Sequence, residues 1–186
     1  MVLAAGPAAA DPPRHTIEVD LSGGYDVVSL TDVHHGQEVW SRRGGGSATV
    51  GLTYRSPYFL SPFLDVGYYP IFASQSVVDV GSYGGRVRAT GTLDAIAAFL
   101  GPALDLGRFR IGAGVGAYQL HSTASVNGST FSTRELHTGY ALDVSFYLLR
   151  ESGVSVGLDS RATIIQDSDI VVLTLGATVG ADVISF

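Results

Sequence analysis

Three groups of residues in this chain carry side chains that could do chemistry. His34 and His35 stand beside Asp32 and Glu38 in a polar stretch. Imidazoles and carboxylates bind metals, but a site needs several ligands converging on one point. Adjacent residues of an extended segment point to opposite faces, so this group reads as solvated, and no metal site is expected. His121 and Thr123 share one parity, with Ser122 between them. A hydroxyl nucleophile needs a base, and that base needs a third group to orient it. The pattern places no carboxylate on that face, so no catalytic residue is assigned. The third group is the largest. Arg55, Asp65, Arg88, Asp94, Arg110, Asp143, Asp159 and Arg161 recur at alternating positions along the chain. Planar guanidinium forks and short carboxylates suit compact bidentate pairs away from water, so these eight are expected to form an interior polar network. Within it, Arg110 and Arg161 are each expected to meet one of Asp94, Asp143 and Asp159.

The elements that would hold these residues can be read from composition and period. The chain has 186 residues, the size of one domain. Hydrophobic residues make up 46% and charged ones 15%, too apolar for disorder. The net charge is -6 and the eleven basic residues are all Arg, which weighs against a nucleic-acid partner. There is no Cys, hence no disulfide framework and no thiol chemistry. No Walker A, G-x-S-x-G or H-E-x-x-H motif is present, and no cofactor is implied. Mean hydropathy is +0.27, yet no apolar run reaches the ~20 residues of a spanning helix. Residues 1–14, with Ala8-Ala9-Ala10 before Asp11-Pro12-Pro13, read as a signal-peptide remnant or a disordered leader.

From residue 15 onward the period is two. Ile17, Val19, Leu21, Tyr25 and Val27 oppose Glu18, Asp20, Ser22 and Asp26. The same alternation returns around Val50, Leu64, Ala95, Ile111, Leu142, Leu158 and Leu173, which predicts eight strands of about 10–15 residues. In the fourth, Ala95, Ala97 and Phe99 are taken as the apolar face and Arg88 and Asp94 as the polar one. Short turns are expected at residues 56–58, 101–107 and 150–153. Longer loops are expected at 29–46, 73–85 and 121–132. Residues 15–186 are thus expected to form an eight-stranded antiparallel up-and-down transmembrane β-barrel, with both termini beside the short turns.

Alternation does not by itself say which face looks inward. The polar face is rich in Gly and other small residues, which suits the narrow interior of an eight-stranded barrel. Aromatic residues also collect near strand ends, as at membrane interfaces. Phe63, Phe99, Phe109, Phe146 and Phe186 fall toward the short turns. Tyr25, Tyr68, Phe72 and Phe131 fall toward the long loops. The apolar face is therefore expected to face lipid. Inward acids (Glu18, Asp20, Asp65, Asp94, Glu135, Asp143, Asp159, Asp182) then outnumber inward Arg (Arg55, Arg88, Arg110, Arg161). A cation path is one reading of that excess. A filled, cross-linked interior is the reading that fits eight strands.

Residues 61–69, residues 111–118 and the terminal Phe186 resemble the small outer-membrane β-barrel family that includes the outer-membrane protein A and X types. The resemblance covers residues 15–186 by pattern. It implies a place in the outer membrane of a Gram-negative-type bacterium, contact with outer-membrane lipids, and recognition of the last strand by the barrel-assembly machinery. The family's last strand runs polar-x-Gly-x-x-apolar-x-aromatic. Thr178, Gly180 and Val183 fit it, and Phe186 falls one residue late, so Gly180 and Phe186 are assigned as the assembly signal on this resemblance. A monomer with a structural or surface-interaction role is expected. His121-Ser122-Thr123 also resembles, loosely, the site of barrels that deacylate lipid A, although their His-x-Ser-Asn run is absent. A lipid-modifying enzyme and a narrow solute conduit are the alternatives. Residues 29–46 hold Trp40, Arg42 and Arg43, types enriched at binding hot spots, and these are the expected loop contacts. An interfacial anchor is the other reading of Trp40.

Overall fold

The computed structural model describes residues 15–30, 38–80, 85–168 and 170–186. The leader, residues 1–14, lies outside them. Eight strands follow one another: β1 (Thr16–Leu30), β2 (Glu38–Arg55), β3 (Leu60–Val80), β4 (Gly85–Leu106), β5 (Phe109–Val126), β6 (Ser129–Glu151), β7 (Val154–Ile165) and β8 (Ile170–Ser185). Each pairs antiparallel with the next, and β8 returns to β1, giving a closed barrel. Closure leaves no sheet edge unpaired around the belt. At the seam His15 and Phe186 exchange both backbone hydrogen bonds, each 3.0 Å long. The His15 ring is stacked between Tyr54 and Phe186.

The register sets the width of the interior. The ladder runs from Asp20 through Gly51, Asp65, Phe99, Gly116, Gly139, Ile165 and Ile170. It re-enters β1 at Leu30, ten residues beyond its start. With ~3.3 Å per residue and ~4.8 Å between strands, that stagger tilts the strands by about 40°. Inside such a barrel there is room for side chains and little else.

The inside-outside alternation holds as expected in β1, β2, β3, β5, β6, β7 and β8. Leu21, Val50, Leu64, Val115, Leu142, Leu158 and Val179 are all exposed on the outer face. Strand β4 is inverted. Ala95, Ala97, Phe99 and Ala103 are buried inside, and Ile96, Leu100 and Leu104 face out. The reason is local: alanine lies on both parities, so hydropathy does not separate them, and the small side chains go where space is short. Arg88 and Asp94 share the parity of Ile96, so they belong to the outer face and not to the interior network.

The aromatic girdles are likewise corrected in part. Phe63 and Phe99 meet edge to face inside the barrel, their centroids 6.4 Å apart. Phe72 packs on the buried apolar cluster. Phe109, Phe186, Tyr25 and Tyr68 are exposed, and Phe146 is half-buried against Phe109.

The turns are tighter than the sequence suggests. Asn127-Gly128 and Ser152-Gly153 both have positive φ at each central residue (50° and 85°, 56° and 78°). That is the two-residue hairpin geometry whose twist matches the flanking strands. Most of each expected long loop is strand. β3, β4 and β6 run 21, 22 and 23 residues, against the ~9–11 that cross a bilayer. β7 has only 12. Strands β2 to β6 therefore continue past the apolar belt as a projecting sheet.

Candidate functional site

Two polar layers fill the interior, and a third polar group sits on the outside. Nearest the short turns, Arg150 forks onto Asp105, with Nη1 and Nη2 each donating at 2.6 Å. Arg55 Nη1 donates to Asp182 Oδ1 at 3.2 Å. Both guanidiniums also lie 3.7 Å from Glu18 Oε2, and Ser155 Oγ donates to Glu18 Oε1. A β-bulge between Tyr147 and Leu149 turns Arg150 inward, placing it opposite Ser155. Gly180 belongs to this layer. A Cβ there would lie 2.5 Å from Ser155 Oγ, so only glycine leaves room for the Glu18–Ser155 contact.

The central layer holds Asp20, Asp65, Arg110, Asp143, Tyr147, Asp159 and Arg161. Arg161 is its hub. Its Nε donates to Asp143 Oδ2 at 3.0 Å, its Nη1 to Tyr69 Oη at 3.1 Å, and its Nη2 to Asp65 Oδ2. Its guanidinium lies over the Phe99 ring, 4.1 Å from the centroid. Arg110 lies over the Phe63 ring, 5.2 Å from its centroid, and interacts with the Tyr147 hydroxyl and with the Asp143 and Asp20 carboxylates. Ser145 Oγ stands 3.2 Å from Asp143 Oδ1 and 3.0 Å from Asp159 Oδ1. The voids among these groups measure about 10 Å³ each, the size of one water.

Toward the other end the lining becomes apolar. Ser47 and Thr174 both donate to Asp26 Oδ1 at 2.7 Å. Beyond them Val28, Ile71, Leu120, Ile165, Ile170 and Val172 form part of one buried cluster. The interior is thus a cross-linked polar plug closed by an apolar cap.

On the outer face Asp94, His121 and Arg134 are register partners in a row across β4, β5 and β6. Tyr68 Oη donates to Asp94 Oδ1 at 3.0 Å. With Ala95, Ile96 and Gln119 these residues line a groove of about 310 Å³. The β4 inversion thus brings a carboxylate beside His121, which the sequence pattern did not. Among the described residues, however, no hydrogen bond joins Asp94 to His121 or His121 to Thr123, so the three do not form a nucleophile-base-acid relay. No group of three or more His, Asp or Glu that could hold a metal occurs among the described residues.

Of the residues singled out from sequence, the structure brings Asp65, Asp143, Asp159, Arg110 and Arg161 into one layer and Arg55 into the layer below. Arg88 and Asp94 are not with them. Trp40, Arg42 and Arg43 lie on β2 and not in a loop, with register partners Gln75, Ala73 and Phe72. Phe186 is the seam residue, exposed and paired with His15. Sequence reasoning missed Asp105 and Arg150, which it left in turns. Placing the turns at Gly107 and at Ser152-Gly153 would have put both on strands.

No protein-family model matches the sequence, and no curated protein matches it. Solved structures match it in fold. The attachment invasion locus protein Ail of Yersinia pestis aligns with a TM-score of 0.57 at 10% identity, over 91% of this chain and 98% of that one. Neisserial surface protein A, NspA, aligns with a TM-score of 0.51 at 15% identity, over 89% of this chain and 96% of that one. The chain thus has the eight-stranded antiparallel architecture of the small transmembrane β-barrels. At these identities the likeness is one of fold.

Proposed function

We propose that this protein is a bacterial outer-membrane barrel that works at the cell surface, presenting the prolonged strands β2 to β6 to a partner. The carrying observation is the contrast along each strand. An outer belt of exposed aliphatic side chains encircles all eight strands, and five of them run on past it. Such a belt is unfavourable in water at roughly 25 cal/mol per Å² and favourable in a bilayer. In this reading outer-membrane lipids cover the belt, and the short turns and the β1–β8 seam face the periplasm. The assembly machinery reads the strand that holds Gly180 and Phe186. The barrel acts as a monomer in this reading. Trp40, Arg42 and Arg43, on the projecting part of β2, are contact residues in this proposal. Ail and NspA, the one an attachment invasion locus protein and the other a surface protein by name, favour the same role.

A plugged interior supports a surface role over a solute conduit. Among the described residues, a cavity of about 570 Å³ lies at the turn end beside Arg55, Asp105 and Arg150, and beyond it the voids of the central layer are about 10 Å³ and the far end is lined by the apolar cluster, which supports a plugged interior. The unlinked Asp94, His121 and Thr123 weaken the lipid-hydrolysing alternative. The test is made on intact cells expressing the chain. Added protease is expected to cut on the side of the long connections and to spare the turns at Arg108 and Glu151. Cleavage confined to those turns would reverse the orientation, and a soluble product would overturn the reading.

A further inference from the structure

The groove on the outer face of β4 to β6 holds charge of both signs at the upper edge of the apolar belt. Asp94, His121 and Arg134 stand side by side along one register row. Neighbouring strands are about 4.8 Å apart, so the two ends of the row are about 10 Å apart at the backbone. That is within reach of long side chains leaning over His121. On the same outward parity Ile96 lies one step below Asp94, and Leu136, which is 75% exposed, lies one step below Arg134. A guanidinium, an imidazole and a carboxylate over an aliphatic wall make a dipolar amphiphile site.

We propose that this groove binds the phosphoethanolamine headgroup of a membrane lipid. Arg134 and His121 face the phosphate, Asp94 faces the ammonium, and the acyl chains run down over Ile96, Leu136 and Val115. The inference rests on the outer-membrane reading above, because it needs the belt to be in lipid. The chemistry selects the headgroup. Arginine matches phosphate oxygens with paired N–H donors. A carboxylate in the same groove repels a headgroup that is only anionic and accepts hydrogen bonds from a primary ammonium. A trimethylated ammonium has no N–H to give it. The bond from Tyr68 Oη holds the Asp94 carboxylate in the groove.

The experiment places the full chain in nanodiscs made of equal parts phosphatidylethanolamine, phosphatidylglycerol and phosphatidylcholine with matched acyl chains. Lipids that stay bound on release are counted by native mass spectrometry, and insertion is followed by heat-modifiable gel mobility. The wild-type chain is expected to retain phosphatidylethanolamine over each of the other two lipids at a ratio of roughly five to one, the factor one exposed charge contact can supply. Asp94→Asn is expected to erase the margin of phosphatidylethanolamine over phosphatidylglycerol, and Tyr68→Phe to reduce it. Arg134→Gln is expected to lower retention of both. Arg108→Gln, at the opposite end, is expected to change nothing. Retention in bulk proportions, a preference for phosphatidylglycerol, or an Asp94→Asn variant that keeps the wild-type margin overturns the site. Insertion without selectivity overturns the headgroup inference alone. A wild-type chain that does not insert overturns the surface-barrel reading with it.

Discussion

The central interior and the projecting sheet are made from the same strands and obey different rules. Around Arg161, a position on one face of a strand cannot be exchanged with its neighbour. Asp143, Ser145 and Tyr147 are buried, while Leu142, Val144 and Leu148 are exposed. Past the belt, residues 129–133 of β6 are exposed on both faces. Where one side is lipid and the other a filled core, each side chain has one acceptable direction. Where both sides are wet, pairing continues but direction no longer matters. The belt therefore fixes the register, and the sheet above it is free to vary in sequence.

That difference also explains what could be read from the sequence. A period of two is visible where burial enforces it, and so seven of the eight strands have the expected inner and outer faces. The same reasoning turned the wet halves of β3 to β6 into loops, because Ser, Thr and Gly on both faces leave no period to see. Strand β4 failed for another reason. Ala95, Ala97 and Ala98 are too alike in hydropathy to mark a face, and the inverted parity carried Arg88 and Asp94 to the wrong side. Arg150 was hidden by the bulge after Tyr147, which no periodic rule anticipates. The outer row of Asp94, His121 and Arg134 depends on register between three strands and could not be read from any one of them.

The comparison is broken most severely by removing the hub of the central layer. Arg161→Leu leaves the Asp65 and Asp143 carboxylates buried without their shared cation. Stranding buried charge costs about 3–5 kcal/mol. The variant is expected to lose heat-modifiable folding in detergent or to unfold at markedly lower urea. Arg134→Leu, at the edge of the wet sheet, is expected to fold as the wild type does. If both variants behaved alike, the division between the two regions would fail.

A charge placed in the belt tests the faces next. Leu100→Arg is expected to cost about 2–4 kcal/mol, the penalty of a cation on the lipid side near mid-membrane. The same change at Thr123, on an outward position above the belt, is expected to cost almost nothing. Because β4 is the inverted strand, Leu100→Arg also separates the two parities. Normal assembly of that variant, measured by insertion yield into lipid vesicles, would return Leu100 to the interior and Asp94 to the network.

A smaller effect probes how tightly the turn-end layer is packed. In Gly180→Ala the new methyl group meets Ser155 Oγ and Glu18. Overpacking a filled interior costs about 1–3 kcal/mol. If Gly180 is held by this packing, Gly180→Ala combined with Ser155→Ala recovers part of the loss in equilibrium unfolding. If Gly180 served only in recognition during assembly, the double variant would insert as poorly as the single one while unfolding at the wild-type denaturant concentration.

The smallest effect belongs to the tip of the projecting sheet. The β5–β6 hairpin ends at Asn127-Gly128, and its last pairs join residues 124–126 to residues 129–131. Phe131 and Val126 there are exposed, so the tip buries no apolar surface against the barrel. What it loses on removal is a few solvated backbone pairs, whose hydrogen bonds are replaced by water at little net cost. Excising residues 124–126 and 129–131 while keeping Asn127-Gly128 as the turn retains the two-residue geometry that both φ values require. Stability is expected to change by less than about 1 kcal/mol, within the range of surface substitutions, and insertion yield is expected to stay at the wild-type level. Any binding of the cell surface to a partner through this sheet should fall, since the hairpin tip lies at its far end. A shortened chain that no longer assembles would mean the projecting strands help to nucleate the barrel. The sheet would then belong to folding as well as to display.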